Sequence, residues 1–429
     1  MIQDSVQTEP KAKRLLLYGL IAAVAGVILF MRRPDAVLNA QFWAEDGKFW
    51  YADAYQYGLR SLLIPVAGYL HILPRLAACL SLLTPLAYAP LVMNLCGLLA
   101  EALPIPVFLS DRYESIPYST RLFGTLLYLV LPNSFEIHAT ATNIQWHLAL
   151  TSCLILLADS EASGGARLRI FDCSVIALTA LDSPLGLFLI PIAALQWWLR
   201  RDRRSLWSVW LLIPGSLIQV LVALFSNTRR IAPNGATLVR FTSIVGGQVF
   251  FSSLTGLRSL IRLYFFSDAR YLFPVETVSM LVGLAVVVVC ARHAPTRLKL
   301  FLLFAGLEFF AALRNPLASM ETYYYQWDLL QIPGVGNRYY FYPMIALIAS
   351  LVWAYGSNSL PKVTRGFAAA LLLCLPVGIF MDFQYRPLVD LQFKALAQEF
   401  EKAPPGTQIR IPVNPVTRGY DWTLQLTKR

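Results

Sequence analysis

The chain has 429 residues, of which 57% are hydrophobic and 14% are charged, whereas ordinary soluble domains have roughly 45–50% apolar and about 25% charged residues. This composition excludes a soluble globular protein and indicates a membrane protein. The net charge of +11 does not point to a nucleic-acid partner, because polytopic proteins collect Lys and Arg in their cytoplasmic loops.

Long apolar runs recur from Leu15 to Phe380, and a hydrocarbon core of roughly 30 Å requires about 20 such residues of a helix. Backbone amides in lipid must be satisfied internally, so we predict an all-α polytopic fold with about 11 to 13 transmembrane helices. The predicted spans are residues 15–31, 62–83, 87–109, 120–132, 146–158, 171–199, 206–226, 274–291, 297–313, 339–355 and 365–381. Residues 1–381 then form a multi-pass domain.

Two predicted spans contain helix breakers. The run 171–199 is too long for one ordinary crossing and contains LDSPLG (181–186), which predicts a hairpin of two half-helices. The run 87–109 contains LPIP (103–106) and is ambiguous in the same way. The parity of crossings between residues 62 and 120 closes only if one of the broken segments crosses twice.

Five basic sequences predict the orientation: KAKR (11–14), ARLR (166–169), RRDRR (200–204), RHAPTRLK (292–299) and PKVTR (361–365). All of them are expected on the cytoplasmic side of an inner (plasma) membrane, together with the N-terminus. The predicted outer segments are the loop 32–61, residues 133–145, 227–273 and 314–338, and the tail 382–429.

The tail contains QIRIPV (408–413) and DWTLQLT (421–427), which alternate apolar and polar residues and predict a small β-hairpin. The six cysteines all lie in apolar segments without CxxC spacing. They are therefore interpreted as small hydrophobic residues, and no disulfide or metal framework is predicted.

The first outer loop contains QFWAEDGKFWYADAYQYG (41–58), in which Glu45, Asp46 and Asp53 alternate with aromatic residues. We call residues 41–58 the acid segment. The pattern predicts an amphipathic helix lying in the membrane interface. In the alternative interpretation, the aromatic residues form an interfacial belt and the acids only face water.

Other ionisable residues fall at predicted outer helix ends. His71 and Arg75 lie in GYLHILPRL (68–76), and Glu136 and His138 lie in PNSFEIHATATNIQWHL (132–148). Ionisable groups within membrane segments are costly and are functional candidates by default. The alternative for each histidine is a hydrogen-bonded structural role.

The last predicted outer loop ends in GVGNRYYFYP (334–343). Arg338 is a permanent, fork-shaped cation suited to a phosphate. Tyr339 and its neighbours have faces on which a sugar could stack, although tyrosines at helix ends are also common interface anchors.

An acid pair after the first span and a late Arg-Tyr followed by Pro ("RYYFYP") resemble the GT-C class of integral-membrane glycosyltransferases. The resemblance implies a polyprenyl-phosphate sugar donor and transfer, on the outer face, to an envelope glycan, lipid or protein acceptor. The order Glu45 then Asp46 departs from the Asp-Glu order of several members, and the tail is a hairpin rather than a large domain.

The resemblance also implies roles for the candidate residues. Either Asp46 or Glu45 would accept the acceptor's proton, and Arg338 would bind the donor phosphate. The remaining substrate-binding candidates are His71, Arg75, Glu136, His138, Tyr339 and Trp43.

No cofactor is required by the sequence, and no DxD motif is present. Glu45 and Asp46 are nonetheless ligands of the type that Mg²⁺ or Mn²⁺ prefers. A transporter or flippase of lipid-linked sugars is the alternative function, with Glu101 and Asp182 as ion-coupling groups next to broken helices. A third interpretation is a non-catalytic scaffold in envelope assembly.

Overall fold

The computed structural model describes residues 11–159, 165–228, 231–266, 269–319, 321, 323–416 and 420–429. The helices up to residue 225 are α1 (Lys11–Arg32), α2 (Asp35–Leu38), α3 (Ala52–Tyr57), α4 (Ile72–Ser81), α5 (Ala89–Ala102), α6 (Pro104–Leu109), α7 (Tyr118–Leu129), α8 (Ile144–Leu157), α9 (Gly165–Asp182), α10 (Leu185–Arg200) and α11 (Arg203–Phe225).

The later helices are α12 (Leu238–Thr242), α13 (Ser252–Thr255), α14 (Leu257–Phe266), α15 (Ala269–His293), α16 (Thr296–Arg314), α17 (Gln326–Leu330), α18 (Phe341–Gly356), α19 (Lys362–Leu372), α20 (Leu375–Asp382) and α21 (Phe393–Lys402). Strands β1 (Gln408–Pro412) and β2 (Thr423–Thr427) form the antiparallel hairpin predicted for the tail. Wider π-helical turns occupy Asp46–Tyr51 and Ser243–Phe251.

Within the described part of the chain, five helical stretches are long and apolar enough to cross a membrane: Leu86–Leu109, Arg203–Phe225, Arg270–His293, Asn337–Gly356 and Lys362–Asp382. Shorter apolar helices such as Ile144–Leu157 and Leu185–Arg200 complete the bundle. The predicted polytopic all-α membrane fold is confirmed.

The predicted break in 171–199 is confirmed, because α9 ends at Asp182 and α10 begins at Leu185. Proline cannot continue a helix through its interior without losing a hydrogen bond, and Pro184 is the residue that precedes α10. In contrast, only Leu103 separates α5 from α6, which starts at Pro104, so Leu86–Leu109 remains one apolar stretch of 24 residues.

The predicted span 62–83 is wrong. Its only α-helix is α4, with 10 residues, and a short 3-10 helix (Gly58–Leu63) overlaps its start. A rise of about 1.5 Å per residue makes α4 roughly 15 Å long, half of a hydrocarbon core. Its Cys79 sulfur lies 3.7 Å from the carbonyl oxygen of Gly58 in the first loop. Leu86, which follows α4, donates its N–H to Glu401 of the tail. Residues 62–83 therefore begin and end at the same end of the bundle and do not cross it. The parity of crossings between residues 62 and 120 then closes.

The predicted outer loop 227–273 also differs from the structure, because helical segments occupy Leu238–Phe266. Gly246 packs directly against α15, where an added Cβ would lie 1.9 Å from the carbonyl oxygen of Glu276. The sequence "SIVGGQVFF" at Ser243–Phe251 is short for a span. Its burial depends on this close backbone contact, which hydropathy does not report.

The C-terminus of α8 defines one end of the bundle, which we call the arginine end. Arg204 donates a hydrogen bond of 2.7 Å to the carbonyl oxygen of Ile155 in the last turn of α8, and Arg200 donates one of 2.6 Å to that of Ala158, the residue after the helix. Arg297 pairs with Asp159 nearby. The sequences RRDRR and RHAPTRLK therefore lie at the same end, as predicted, and cations there complement the negative end of the helix dipole.

The opposite end of α8 defines what we call the acid end. The acid segment lies here and forms a helix, as predicted, through the π-helical turn and α3. Its aromatic side chains were expected in the membrane interface, but Trp50 and Tyr51 are buried within the protein. Phe42 packs edge-on against Phe393 of the tail, with ring centroids 5.0 Å apart. The tail therefore covers the acid segment.

Gly97 of α5 supports the loop that precedes α8. A Cβ at Gly97 would lie between 2.6 and 2.9 Å from the backbone of Thr140. The helix and the loop therefore approach more closely than any residue with a side chain allows.

We predict that Gly97→Ala lowers the free energy of unfolding by roughly 1–3 kcal/mol, because the overpacked loop must shift. Gly26→Ala in α1 is the matched control, since nothing lies within 4 Å of its added Cβ. Thermal unfolding in detergent measures both variants. Equal melting temperatures for the two variants would contradict the prediction.

Candidate functional site

Asp46 joins the acid segment to the loop before α8. Its Oδ1 accepts hydrogen bonds from the backbone N–H of Thr142 at 2.8 Å and from the Thr142 hydroxyl at 2.7 Å, while Oδ2 accepts from Ala141 N–H at 3.2 Å. The side chain is completely buried. Burial raises the pKa of Asp46 to about 7, although the bonds from Thr142 lower it. The carboxyl group is thus held in one position by three donors.

Glu45, in contrast, keeps an available carboxylate. It is partly buried, and no other described residue donates a hydrogen bond to its side chain. Burial raises its pKa, the positive charge of Arg338 opposes this, and the negative charge of Glu136 reinforces it. The Glu45 carboxylate therefore lies within the electrostatic reach of both partners.

Arg338 precedes α18 and lies against Glu136. Its Nη1 pairs with Oε1 of Glu136, and its backbone N–H donates to Oε2 at 3.0 Å. Nη2 donates to the carbonyl oxygen of Leu317 at 2.7 Å and lies 3.2 Å from the Tyr339 hydroxyl. We call Glu45, Glu136, Arg338 and Tyr339 the carboxylate–arginine cluster. Four of the predicted site residues thus come together.

His71 and Arg75 lie in a different cluster. Arg75 donates to Asp53 at 2.9 Å and lies 4.8 Å from the centre of the Trp50 ring. His71 packs against the same ring, with centroids 4.6 Å apart. Burial, and to a smaller extent the positive charge of Arg75, lower the pKa of His71 to about 3, so this imidazole is neutral. Neither His71 nor Arg75 contacts Arg338.

Trp50 connects the two regions. Its indole N–H donates to the Thr142 hydroxyl at 2.8 Å, and that hydroxyl donates to Asp46. A continuous path of hydrogen bonds and ring packing therefore runs from the carboxyl group of Asp46 to the buried pair Arg75 and Asp53.

His138 is directed away from the carboxylate–arginine cluster. Its Nδ1 lies 3.1 and 2.9 Å from the two carboxylate oxygens of Glu101 on α5. Arg33 donates to the carbonyl oxygen of Ala139 at 3.3 Å and interacts electrostatically with Glu101 and Asp46. His138 is therefore part of a buried charge network that holds the loop.

Trp43 pairs through its backbone with Asn414 of the tail. Asn414 donates its N–H to Phe42 at 3.2 Å and accepts from the N–H of Ala44. Ala44 has a φ of +39°, a left-handed conformation that residues with a side chain rarely adopt. The tail thus fixes the backbone immediately before Glu45.

The predicted ligand pair for Mg²⁺ or Mn²⁺ does not fit a shared ion. Three hydrogen bonds occupy the Asp46 carboxylate, while Glu45 is associated with Arg338. Across the described ranges, no group of three or more His, Cys, Asp or Glu side chains is arranged to hold a metal.

Sequence reasoning missed two residues that position the site, Thr142 and Asn414. Thr142 lies in "TATN" (140–143), directly before α8, where hydroxyl side chains commonly bond to nearby groups. That position was a detectable signal. Asn414 had no such signal, because the residues that it positions, Phe42 and Ala44, lie more than 360 residues away along the chain.

No family model matches the sequence, and no curated protein matches it. Among solved structures, the chain is similar to an oligosaccharyltransferase of Archaeoglobus fulgidus, crystallised with zinc and sulfate, at 13% sequence identity and a TM-score of 0.44. The alignment covers 90% of this chain and 55% of that protein. The chain therefore spans about half the length of the protein it matches.

We predict that Asp46→Ala destabilises the protein by about 2 kcal/mol, because the buried N–H of Ala141 and the two partly buried donors of Thr142 lose their acceptor. Asp46→Asn should cost less, since its amide oxygen can still accept both bonds from Thr142. Chemical denaturation in detergent measures the effect, with Asp390→Ala, an exposed acid of the tail, as the control. Equal stability of Asp46→Ala and the control would contradict the structural role.

Proposed function

We propose that the protein is an integral-membrane glycosyltransferase that moves a sugar from a polyprenyl-phosphate donor to a glycan, lipid or protein acceptor. One arrangement carries the proposal: Asp46 is bonded to the loop that carries Glu136, and Glu136 pairs with Arg338. The neighbouring Glu45, whose carboxylate receives no hydrogen bond from another described residue, is thereby held within electrostatic range of that cation. A base beside a cation is the arrangement that such a transfer needs.

In the proposed reaction, the acceptor hydroxyl attacks the anomeric carbon of the donor sugar. A bond forms between the acceptor oxygen and that carbon, and the bond between the carbon and the phosphate oxygen breaks. The hydroxyl proton passes to the Glu45 carboxylate. Arg338 stabilises the negative charge that develops on the departing phosphate.

Asp46 has a positioning role in this proposal, not a catalytic one. Its carboxyl oxygens already accept bonds from Ala141 and Thr142. This contact holds the neighbouring Glu45 next to the loop that carries Glu136. Of the two acids that the sequence left as alternatives for the base, Glu45 is therefore the better candidate.

The proposed membrane is the inner (plasma) membrane, with the N-terminus in the cytoplasm and the tail outside. The arginine end collects the basic loops, which favours the cytoplasm for that end. The carboxylate–arginine cluster lies at the acid end, so transfer is proposed on the outer face, where membrane lipids deliver the donor.

The alternative function, a transporter or flippase, relied on Glu101 and Asp182 as ion-coupling groups. Glu101 is paired with His138, and Asp182 accepts the N–H of Leu73 at 2.6 Å and so caps α4. Both acids have structural partners, which makes this alternative weaker. A scaffold without activity would tolerate changes throughout the carboxylate–arginine cluster.

We predict that Glu45→Gln lowers kcat by at least about 100-fold, the lower range for loss of a general base. The assay follows radiolabelled sugar as it leaves a polyprenyl-phosphate donor. Glu399→Gln, the same change at an exposed position of α21, should retain wild-type activity. Full activity of Glu45→Gln would remove the base from the proposal.

We also predict a characteristic pH dependence. The base must be ionised, so kcat/KM should rise with pH through the raised pKa of Glu45 and level off above it. Because Arg338 lowers that pKa, Arg338→Gln should move this rise to higher pH, and Arg338→Lys should move it less.

The pH profile of the residual activity measures the shift. Arg410→Gln, which changes an exposed arginine of the hairpin, is the control and should leave the profile unchanged. A rise at the same or lower pH in Arg338→Gln would show that another group titrates.

A further inference from the structure

Arg338 already has an anionic partner in this structure. The two carboxylate oxygens of Glu136 pair with the guanidinium Nη1 and with the backbone N–H of the same residue. The other terminal nitrogen, Nη2, is bonded to the carbonyl oxygen of Leu317. The Glu136 side chain is 11% exposed and that of Arg338 is 26% exposed, so the contact is partly shielded from water.

A phosphate would use the same donors. Two oxygens of one anion can engage an N–H group of the guanidinium and a neighbouring N–H group, which is how arginine recognises both carboxylates and phosphates. The Glu136 carboxylate therefore occupies the place that the donor phosphate needs in the proposed reaction.

The net charge of the carboxylate–arginine cluster also indicates that Glu136 must leave Arg338 before a phosphate binds. Glu45 and Glu136 supply two negative charges, and Arg338 supplies one positive charge. A phosphate added to this arrangement would meet a net negative environment. It gains a free cation only if Glu136 releases Arg338.

We infer that Glu136 is an internal competitor for the donor phosphate, and that the lipid phosphate binds by exchanging with Glu136 on Arg338. This inference rests on the proposed function and adds a condition to it, namely that the donor binds only when Glu136 leaves Arg338. We call this exchange the gate. A ligand that lacks a phosphate cannot make the exchange, so the gate favours anionic lipid donors over neutral glycolipids.

The surrounding backbone is anchored, which confines the exchange to the Glu136 side chain. Asn133 and Ala139 flank the turn with φ values of +52° and +53°. The amide of Asn133 donates to Ser252 at 2.7 Å, and the carbonyl oxygen of Ala139 accepts from Arg33. Rotation of one side chain is the smallest movement that frees Arg338.

Binding of farnesyl phosphate to the full-length protein in detergent tests the inference, with isothermal titration calorimetry at fixed ionic strength. Glu136→Gln removes the competing charge and should tighten binding by at least about tenfold, because a charge-assisted bond no longer has to be exchanged. Arg338→Gln should weaken binding by a similar factor.

Glu45→Gln is the matched control. It removes one negative charge from the same cluster but no hydrogen bond to Arg338, so competition predicts a change of less than about threefold. Glu136→Asp keeps the charge on a shorter side chain that cannot hold both contacts, and it should tighten binding to an intermediate degree. Melting temperatures without ligand verify that each variant is folded.

The outcomes separate the gate from the function. Affinity in Glu136→Gln that equals or falls below wild type would overturn the gate, as would equal tightening in Glu45→Gln, which would indicate charge repulsion alone. If Arg338→Gln binds farnesyl phosphate as tightly as wild type, the phosphate role of Arg338 in the proposed function is wrong, and the gate fails with it. Weakening in Arg338→Gln without tightening in Glu136→Gln removes only the gate.

Discussion

The hydrogen bonds from Ala141 and Thr142 to Asp46 are the contact on which the acid end depends. They join two segments that are about 95 residues apart in the chain, one carrying Glu45 and the other carrying Glu136. A carboxyl group buried this completely would be costly without partners. The three donors supply those partners and fix the distance between the two segments.

Several other contacts keep this junction rigid. Gly97 lets the loop approach α5 to a distance that a Cβ would forbid. On the other side, Asn414 holds the backbone of Phe42 and Ala44. The tail therefore belongs structurally to the acid end, although it comes last in the chain. Packing from three parts of the sequence determines where Glu45 lies.

Charge is distributed unevenly along the bundle, and the two ends use it differently. At the arginine end, Arg200 and Arg204 neutralise the C-terminal carbonyl groups of α8, which is a structural use of cations. In the carboxylate–arginine cluster at the acid end, Arg338 pairs with Glu136 and lies within electrostatic range of Glu45. Because the cluster is partly shielded from water, both the attraction of the acids for Arg338 and the repulsion between the two acids are stronger than they would be in bulk water. With two carboxylates and one arginine, the cluster has one acid for the proposed role of base and another that competes with a phosphate for Arg338.

The sequence predicted much of the helical framework, because hydropathy reports directly which segments are able to leave water. It was wrong for 62–83, where an apolar run folds into the short helix α4 and packs on the first loop rather than on lipid. Burial against protein and burial against lipid require similar residues, so composition does not separate them. The helical segment at Ser243–Phe251 was missed for a related reason, since its packing depends on glycine contacts with α15.

For the candidate site, the residue types alone showed which groups are available: the acids of residues 41–58, the histidines and Glu136 near α8, and Arg338 before α18. It also determined the membrane class, because composition alone sets how much of the chain can be in contact with lipid. The pairing of Glu136 with Arg338, the position of Glu45 within electrostatic range of Arg338, and the different partners of His71 and Arg75 became visible in the folded chain alone. Such pairings depend on contacts between residues far apart in the chain, and no local pattern encodes them.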